Sequence, residues 1–213
     1  MDSQAWDDRY RAEEPVWGAA PNRWVVRECE ELAPGRALDL AAGEGRNSIW
    51  LVGRGWQAVA VDFSQVALER GRALASGLPA DAADRIAWVE ADVLTHPPVR
   101  DGFDLVLVVY LHLPAADRRT LLRLAAASLA PRGTLLVVGH DTSNLTEGVG
   151  GPQDARVLFT PEDVLADLDG LGLETVRAER VRRAVPAPDG HGTAGEAVDA
   201  LVRLHRPAAT GPF

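Results

Sequence analysis

The chain contains no lysine, one cysteine, and no apolar run approaching the roughly 18 residues that a membrane span requires. A single thiol, Cys29, excludes an internal disulfide and any multi-cysteine metal site, and leaves a reduced, partly buried side chain as the expectation. Acids outnumber bases, 31 Asp and Glu against 22 arginines for a formal charge of −9. That balance excludes a general nucleic-acid surface, because phosphate backbones demand clustered cations. The opening Met1-Asp2-Ser3-Gln4 lacks the basic and then apolar start of a secretory leader, so a cytoplasmic protein engaging neither membrane nor nucleic acid is expected. Arginine without lysine, together with abundant alanine, points to a GC-rich bacterial genome. What is present suffices for one domain: 213 residues, 46% of them hydrophobic.

The most informative stretch is Ala37 to Asp62. An apolar run, Ala37-Leu38-Asp39-Leu40, leads through the small-residue loop Ala41-Ala42-Gly43-Glu44-Gly45 into a helix predicted over Arg46 to Gly53, and a second run, Ala58-Val59-Ala60-Val61, ends in Asp62. Strand, glycine turn, helix, strand and acid make one βαβ unit of the kind that holds a nucleoside. Gly43 and Gly45 permit turn conformations closed to side chains and let a ligand approach the main chain. The helix start offers free N–H groups to an anion, and Asp62 is placed to accept hydrogen bonds from a ribose. Asp39 has no use beside a pyrophosphate but suits a ligand carrying an ammonium group. Ser48 stands where a Gly-x-Gly-x-x-Gly dinucleotide motif needs its third glycine.

Asp39-x-Ala41-x-Gly43-x-Gly45 resembles motif I of the class I S-adenosylmethionine-dependent methyltransferases, and Asp62 resembles their ribose-binding acid. The continuation Gly45-Arg46-Asn47-Ser48 is similar to the tellurite-resistance and thiopurine methyltransferase-like branch, with Ala41 where many members carry glycine. The resemblance implies an α/β fold: a single Rossmann-like, mostly parallel seven-stranded sheet closed by a C-terminal antiparallel hairpin and flanked by helices. It implies S-adenosylmethionine as cofactor, S-adenosylhomocysteine as its product, and a small-molecule methyl acceptor as partner to a monomer or homodimer.

On that resemblance residues 1–30 form an aromatic, helical lid and residues 31–213 the methyltransferase domain. Trp6, Asp7 and Tyr10 share a helical face, and Trp17 could lay an aromatic ring near the sulfonium. Ser64 is placed to cap a helix from Gln65 to Ser76, and Phe63 to meet an adenine ring or enter the core. A third strand at 86–89 precedes Ala91-Asp92-Val93, where Asp92 matches the motif II acid that accepts from the adenine amino group. Phe103 to Leu111 reads as a central buried strand whose end, Val109-Tyr110, opens with His112 on the ligand edge. A helix over Thr120 to Leu129 leads through Leu129-Ala130-Pro131-Arg132-Gly133, similar to the family's Leu-x-Pro-Gly-Gly turn, to a strand at 134–138 and then His140-Asp141. Residues 142–158 are too long for an ordinary connector and read as a substrate-side lid. Strands at 173–183 and 197–205 form the closing hairpin, with His191 in its joining loop.

The implied chemistry is in-line transfer of a sulfonium methyl group to a thiol, chalcogenide, hydroxyl or amine. Cofactor contacts are expected from Trp17, Asp39, Ala41, Gly43, Glu44, Gly45, Arg46, Asn47, Asp62, Phe63, Ser64, Ala91, Asp92, Val93, Val109 and Tyr110. A thiol ionises near neutrality and needs only orientation, whereas a hydroxyl needs a base, for which His112, His140, Asp141 and His191 are the candidates. No metal is expected, since no Asp-Asn pair lies at the turn where metal-dependent relatives carry one. Two other readings stay open at this level: a nicotinamide-dependent oxidoreductase on the same βαβ unit, and a non-catalytic S-adenosylmethionine-binding module.

Overall fold

A computed structural model describes residues 3–12, 20–186 and 193–208. In chain order the elements are α1 (Ser3–Ala12), α2 (Arg23–Cys29), β1 (Arg36–Leu40), α3 (Arg46–Gly53), β2 (Gln57–Asp62), α4 (Gln65–Ala75), α5 (Ala80–Ala83), β3 (Ile86–Glu90), β4 (Phe103–Val109), α6 (Ala115–Ser128), β5 (Leu129–His140), α7 (Asn144–Glu147), α8 (Pro161–Asp167), β6 (Glu174–Pro186) and β7 (Thr193–His205). They build one seven-stranded sheet in the order β3-β2-β1-β4-β5-β7-β6. Five strands run parallel, and β7 and β6 pair antiparallel at the far edge, as anticipated for the fold.

The period of the apolar residues explains the layers. Leu38, Leu40, Val106, Val108, Leu135 and Val137 face α6 and α8, whereas Ala37, Leu105, Leu107, Leu136 and Val138 face α2 and α3. Each central strand therefore feeds two cores, which is why its sequence is apolar without alternation. At about 25 cal/mol per Å², each fully buried Leu or Val contributes roughly 1.5–3 kcal/mol. Trp24, Val25 and Cys29 of α2 are buried in the second core, so that helix packs with the sheet.

Caps set the helix starts. Asn22 accepts from the Trp24 N–H, Ser64 from the Ala67 N–H, and Thr160 with Asp163 forms a reciprocal box ahead of Pro161. α6 begins at Ala115, earlier than the apolar spacing predicts, because its first turn presents Ala116 and Asp117 to solvent and carries no apolar signal. Tyr110 lies beyond β4 at a φ of 57°, so the central strand stops before its predicted end. Arg132 adopts a φ of 68°, the left-handed geometry for which the similar turn elsewhere uses glycine.

Residues 142–158 are tied to the sheet. The Asn144 amide oxygen accepts from the Val198 N–H at 2.8 Å, and the Val149 N–H donates to the Glu196 carbonyl at 2.9 Å. The parallel strands all end on one edge, and the loops after β1, β2, β3, β4 and β5 are gathered there. Hollows of about 260 and 290 Å³ lie on the opposite edge, lined by residues such as Arg36, Gln57 and Phe103 in one and Trp56, Asp104 and Arg132 in the other.

Candidate active site

The loop after β1 is shaped by three left-handed residues, Ala41, Gly43 and Gly45, at φ 58°, 57° and 71°. Gly45 is the N-cap of α3, and its N–H closes the turn onto the Ala42 carbonyl at 3.0 Å. Asp62 joins this loop to the one after β2: Oδ2 accepts from the Gly43 N–H at 2.7 Å and Oδ1 from the Ser64 N–H at 2.9 Å. Burial pushes the Asp62 carboxyl up from its ordinary range, and these main-chain donors pull it back.

Asp39 is 1% exposed and accepts from Ser48 Oγ at 2.9 Å. Its pKa is raised to about 6 by burial, against the Ser48 bond and the Arg46 charge. The serine that breaks the dinucleotide pattern therefore has a local task. Arg46 is lowered by burial and drawn the other way by Tyr110 and Asp39. Glu44 is buried against Arg70 at 3.1 Å, and Asn47 turns its amide oxygen to the Asn22 N–H at 2.9 Å. Phe63 is half-buried beside the buried Ser64.

After β3, the Ala91 N–H donates to the Asp62 carbonyl, Asp92 is exposed and accepts from the Leu94 N–H at 2.9 Å, and Val93 is buried in the core. The structure thus brings Asp39, Gly43, Gly45, Arg46 and Asp62 together and leaves Asp92 at their rim. Trp17 and His191 lie outside the described residues.

Helix α1 lies over this edge. Ser64 Oγ donates to Asp7 at 2.5 Å, Arg70 donates to the Tyr10 carbonyl, and a methyl group added at Gly43 would come 2.7 Å from the Tyr10 hydroxyl. Tyr10 is 4% exposed.

A second cluster occupies the same edge beyond β4. Asp199 of β7 stands opposite His140 in the register and is fully buried. Its Oδ2 accepts from Trp24 Nε1 at 3.0 Å, the Tyr110 hydroxyl at 2.7 Å and Arg183 Nε at 2.8 Å. Its Oδ1 faces His140 Nδ1 at 3.3 Å. Burial, reinforced by the Asp199 charge, holds the Tyr110 phenol well above its ordinary range. Burial also lowers His140, which Asp199 opposes and Arg183 reinforces.

His112 stacks on His140 with centroids 5.4 Å apart, and its Nε2 accepts from the His140 N–H at 2.9 Å. Burial and that neighbour lower it to about 4. Asp141 is buried and accepts on Oδ1 from the Ser143 N–H and hydroxyl and from Arg180 Nε at 3.0 Å. The half-buried Val109 ends β4 immediately before Tyr110.

Sequence reasoning did not single out Asp199, the bonds of Arg183 and Trp24 to it, or the meeting of Asp7 with Ser64 and of Tyr10 with Gly43. Asp199 did carry a readable signal: it is the one acid between Ala197 and Leu204, in a stretch otherwise apolar save Arg203. Charges are rarely buried without partners, so an acid in such a strand marks a network.

Residues 37–133 match the methyltransferase domain family. The demethylmenaquinone methyltransferase of Clavibacter sepedonicus is 33% identical over 127 residues, covering 60% of this chain and 48% of that protein. The chain spans about half the length of the curated relatives it matches. Among solved structures, the 1,6-didemethyltoxoflavin N1-methyltransferase of Burkholderia thailandensis, bound to S-adenosylhomocysteine, superposes with a TM-score of 0.68 at 20% identity, covering 96% of this chain and 87% of that one. TehB from Haemophilus influenzae gives 0.70 at 16%, covering 91% and 65%. These structural likenesses establish the fold. Residues 37–133 are thus similar to a methyltransferase domain, and they sit within a Rossmann-like fold that the chain shares with methyltransferase structures.

Proposed function

We propose that the chain transfers a methyl group from S-adenosylmethionine to a small-molecule nucleophile. The carrying observation is Asp62, whose carboxylate ties the glycine loop to the start of α4 at the carboxyl end of β2. The donor set suits the ligand's three polar parts. Asp39 would hold the ammonium, Arg46 and the α3 N-terminus the carboxylate, and Asp62 the ribose hydroxyls, with Asp92 and Phe63 toward adenine. When bound, the cofactor supplies an electrophilic methyl group on a sulfonium and leaves as a neutral thioether. The protein's own contribution is alignment and exclusion of water, worth effective molarities on the order of 10⁵ M or more in well-oriented reactions.

Helix α1 would then serve as a lid, with Tyr10 closing over Gly43 and yielding that space when the ligand enters. Gly45-Arg46-Asn47-Ser48 follows the pattern of the tellurite-resistance and thiopurine-like branch, and the fold likeness to TehB accords with it.

Calorimetry with S-adenosylhomocysteine tests the reading. Asp62→Ala is expected to weaken binding by roughly 2–4 kcal/mol, the scale of one to two hydrogen bonds to a charged group, with the circular dichroism of the free protein unchanged. An affinity equal to wild type would place the ribose elsewhere.

A further inference from the structure

We infer that His140, held by Asp199, is the base that takes the proton from the methyl acceptor, and that the acceptor is a weakly acidic O–H or ring N–H group. The inference rests on the methyltransferase reading and deepens it.

Geometry selects His140 from the candidates. His112 Nε2 has its lone pair occupied by the His140 N–H at 2.9 Å. A neutral imidazole has one acceptor nitrogen, and in His112 it is committed, so that ring ties the segment after β4 to β5. Asp141 Oδ1 is held by Ser143 and Arg180, and the residue is fully buried. Asp141 Oδ2 has no hydrogen-bond partner among the described residues, but the Arg180 guanidinium on Oδ1 holds that carboxylate in an ion pair. His140, 6% exposed, stands instead beside a carboxylate, without a cation of its own on the ring. His140 Nδ1 has no hydrogen-bond partner among the described residues, neither has Asp199 Oδ1, and the two lie 3.3 Å apart.

A carboxylate only accepts, so the proton of a neutral His140 belongs on Nδ1, which leaves the Nε2 lone pair pointing away from Asp199. Gly151, at φ 74°, passes beside that atom, and a methyl group there would come 2.6 Å from Nε2. The loop therefore runs as glycine where a side chain would press on the imidazole, 2.5 Å from Cδ2 and 2.8 Å from Cγ.

Four groups face the His140 ring: Asp199 from β7, Arg183 from β6, and Tyr110 and His112 from the segment after β4. Arg183 and Tyr110 both bond Asp199 Oδ2, which leaves Oδ1 beside the imidazole. Asp199 is thus a positioning residue. In the proton step the acceptor's X–H bond breaks and the proton moves to Nε2. The pair left on X bonds the methyl carbon, the carbon–sulfur pair stays on sulfur, and the imidazolium afterwards releases its proton to water. A thiolate would need none of this. A phenol with a pKa near 10 is only about one part in a thousand ionised at neutral pH, which is the deficit a base makes good.

The test uses the full chain with histidine-selective ¹⁵N labelling. In the wild type at pH 7, long-range nitrogen–proton spectra are expected to show His140 neutral with its proton on Nδ1, and in Asp199→Asn to show a shift toward Nε2–H. A proton on Nε2 in the wild type, or an unchanged tautomer in the variant, would overturn the assignment.

Turnover of simple phenols and N–H heteroarenes is expected to fall about 100-fold or more in kcat for His140→Gln, with KM within about threefold. The wild-type rate is expected to rise with pH through a value below the ordinary histidine range, and Asp199→Asn to move that limb lower. Methylation of thiols alone, or of nothing in the panel, would refute the acceptor class. Absence of S-adenosylhomocysteine binding by the wild type would refute the methyltransferase reading itself, while the tautomer result would still decide the His140 pair.

Discussion

Two regions share the ligand edge of the sheet, and they are built by opposite means. Around β1 and β2 the site comes from 26 consecutive residues, Ala37 to Asp62, and most of its geometry is main chain: left-handed turns, N–H donors and one carboxylate joining two loops. Around β4, β5 and β7 it is a side-chain network whose members stand at 24, 110, 112, 140, 183 and 199. The contrast teaches a division of labour. A backbone-built site tolerates sequence change while keeping one ligand, which on the proposed reading suits a shared cofactor. A network assembled across long sequence separations can be re-cut residue by residue, which suits selection of an acceptor.

The largest effect that sharpens this comparison is expected at Asp199. Replacement by alanine removes the acceptor shared by Trp24, Tyr110 and Arg183, and leaves buried donors with nothing to bond. Breaking a buried pair costs about 3–5 kcal/mol, and because the Arg183 side chain is 22% exposed and can partly hydrate, the expected loss is about 3 kcal/mol in urea unfolding. A loss under about 1 kcal/mol would mean that the second region is a loose surface network, and the comparison would fail.

A somewhat smaller loss is expected from Gly45→Ala in the first region. The residue sits at φ 71°, and a methyl group would come 2.4 Å from the Trp88 ring, which also lies against Gly71. The left-handed conformation costs an L-residue about 1–2 kcal/mol, and displacing the ring adds to it, for about 2–3 kcal/mol in all. Paired urea curves for the two variants would show whether the local loop is as costly to disturb as the distant network. A Gly45→Ala variant as stable as the wild type would show that the loop's shape is not what holds it.

The same contrast explains what the sequence could disclose. The βαβ unit was readable because strand, turn, helix and acid follow one another within one stretch, and Asp39, Gly43, Gly45 and Asp62 fall together as the spacing requires. The sheet was readable too, since apolar runs and the hairpin's short connection define it. The network was not. His112 and His140 look alike in sequence, and only the hydrogen bond from one to the other separates a pinned ring from an available one. Asp199 is 59 residues from His140, and its partner depends on the β5–β7 register, which local patterns do not encode. The place of α1 over Gly43 depends likewise on Asp7 meeting Ser64 across 57 residues.

The smallest expected change has the opposite sign and bears on why the first region carries its carboxylates. Asp39 has its pKa raised to about 6 in the folded chain, where burial outweighs Ser48 and Arg46. Because the folded pKa lies above the ordinary value near 3.9, the folded state holds this proton more tightly than the unfolded state. Stability from this group is therefore full below about pH 4, declines as pH rises between about 4 and 6, and stays reduced at neutrality. Two pKa units correspond to at most about 3 kcal/mol, and relaxation lowers the expected figure to about 1–2. Asp39→Asn keeps an acceptor for Ser48 and cannot ionise, so the free variant is expected to be more stable than the wild type at pH 7, with the difference vanishing near pH 4. On the proposed reading it should also bind S-adenosylhomocysteine more weakly, because the ammonium loses its counter-charge, and wild-type affinity should fall as pH drops through about 6. Thermal unfolding across that range, with and without the ligand, measures both. A variant less stable than the wild type at pH 7 would mean that Asp39 is a structural acid serving Ser48 and Arg46, and that the first region keeps it for the fold rather than for a ligand.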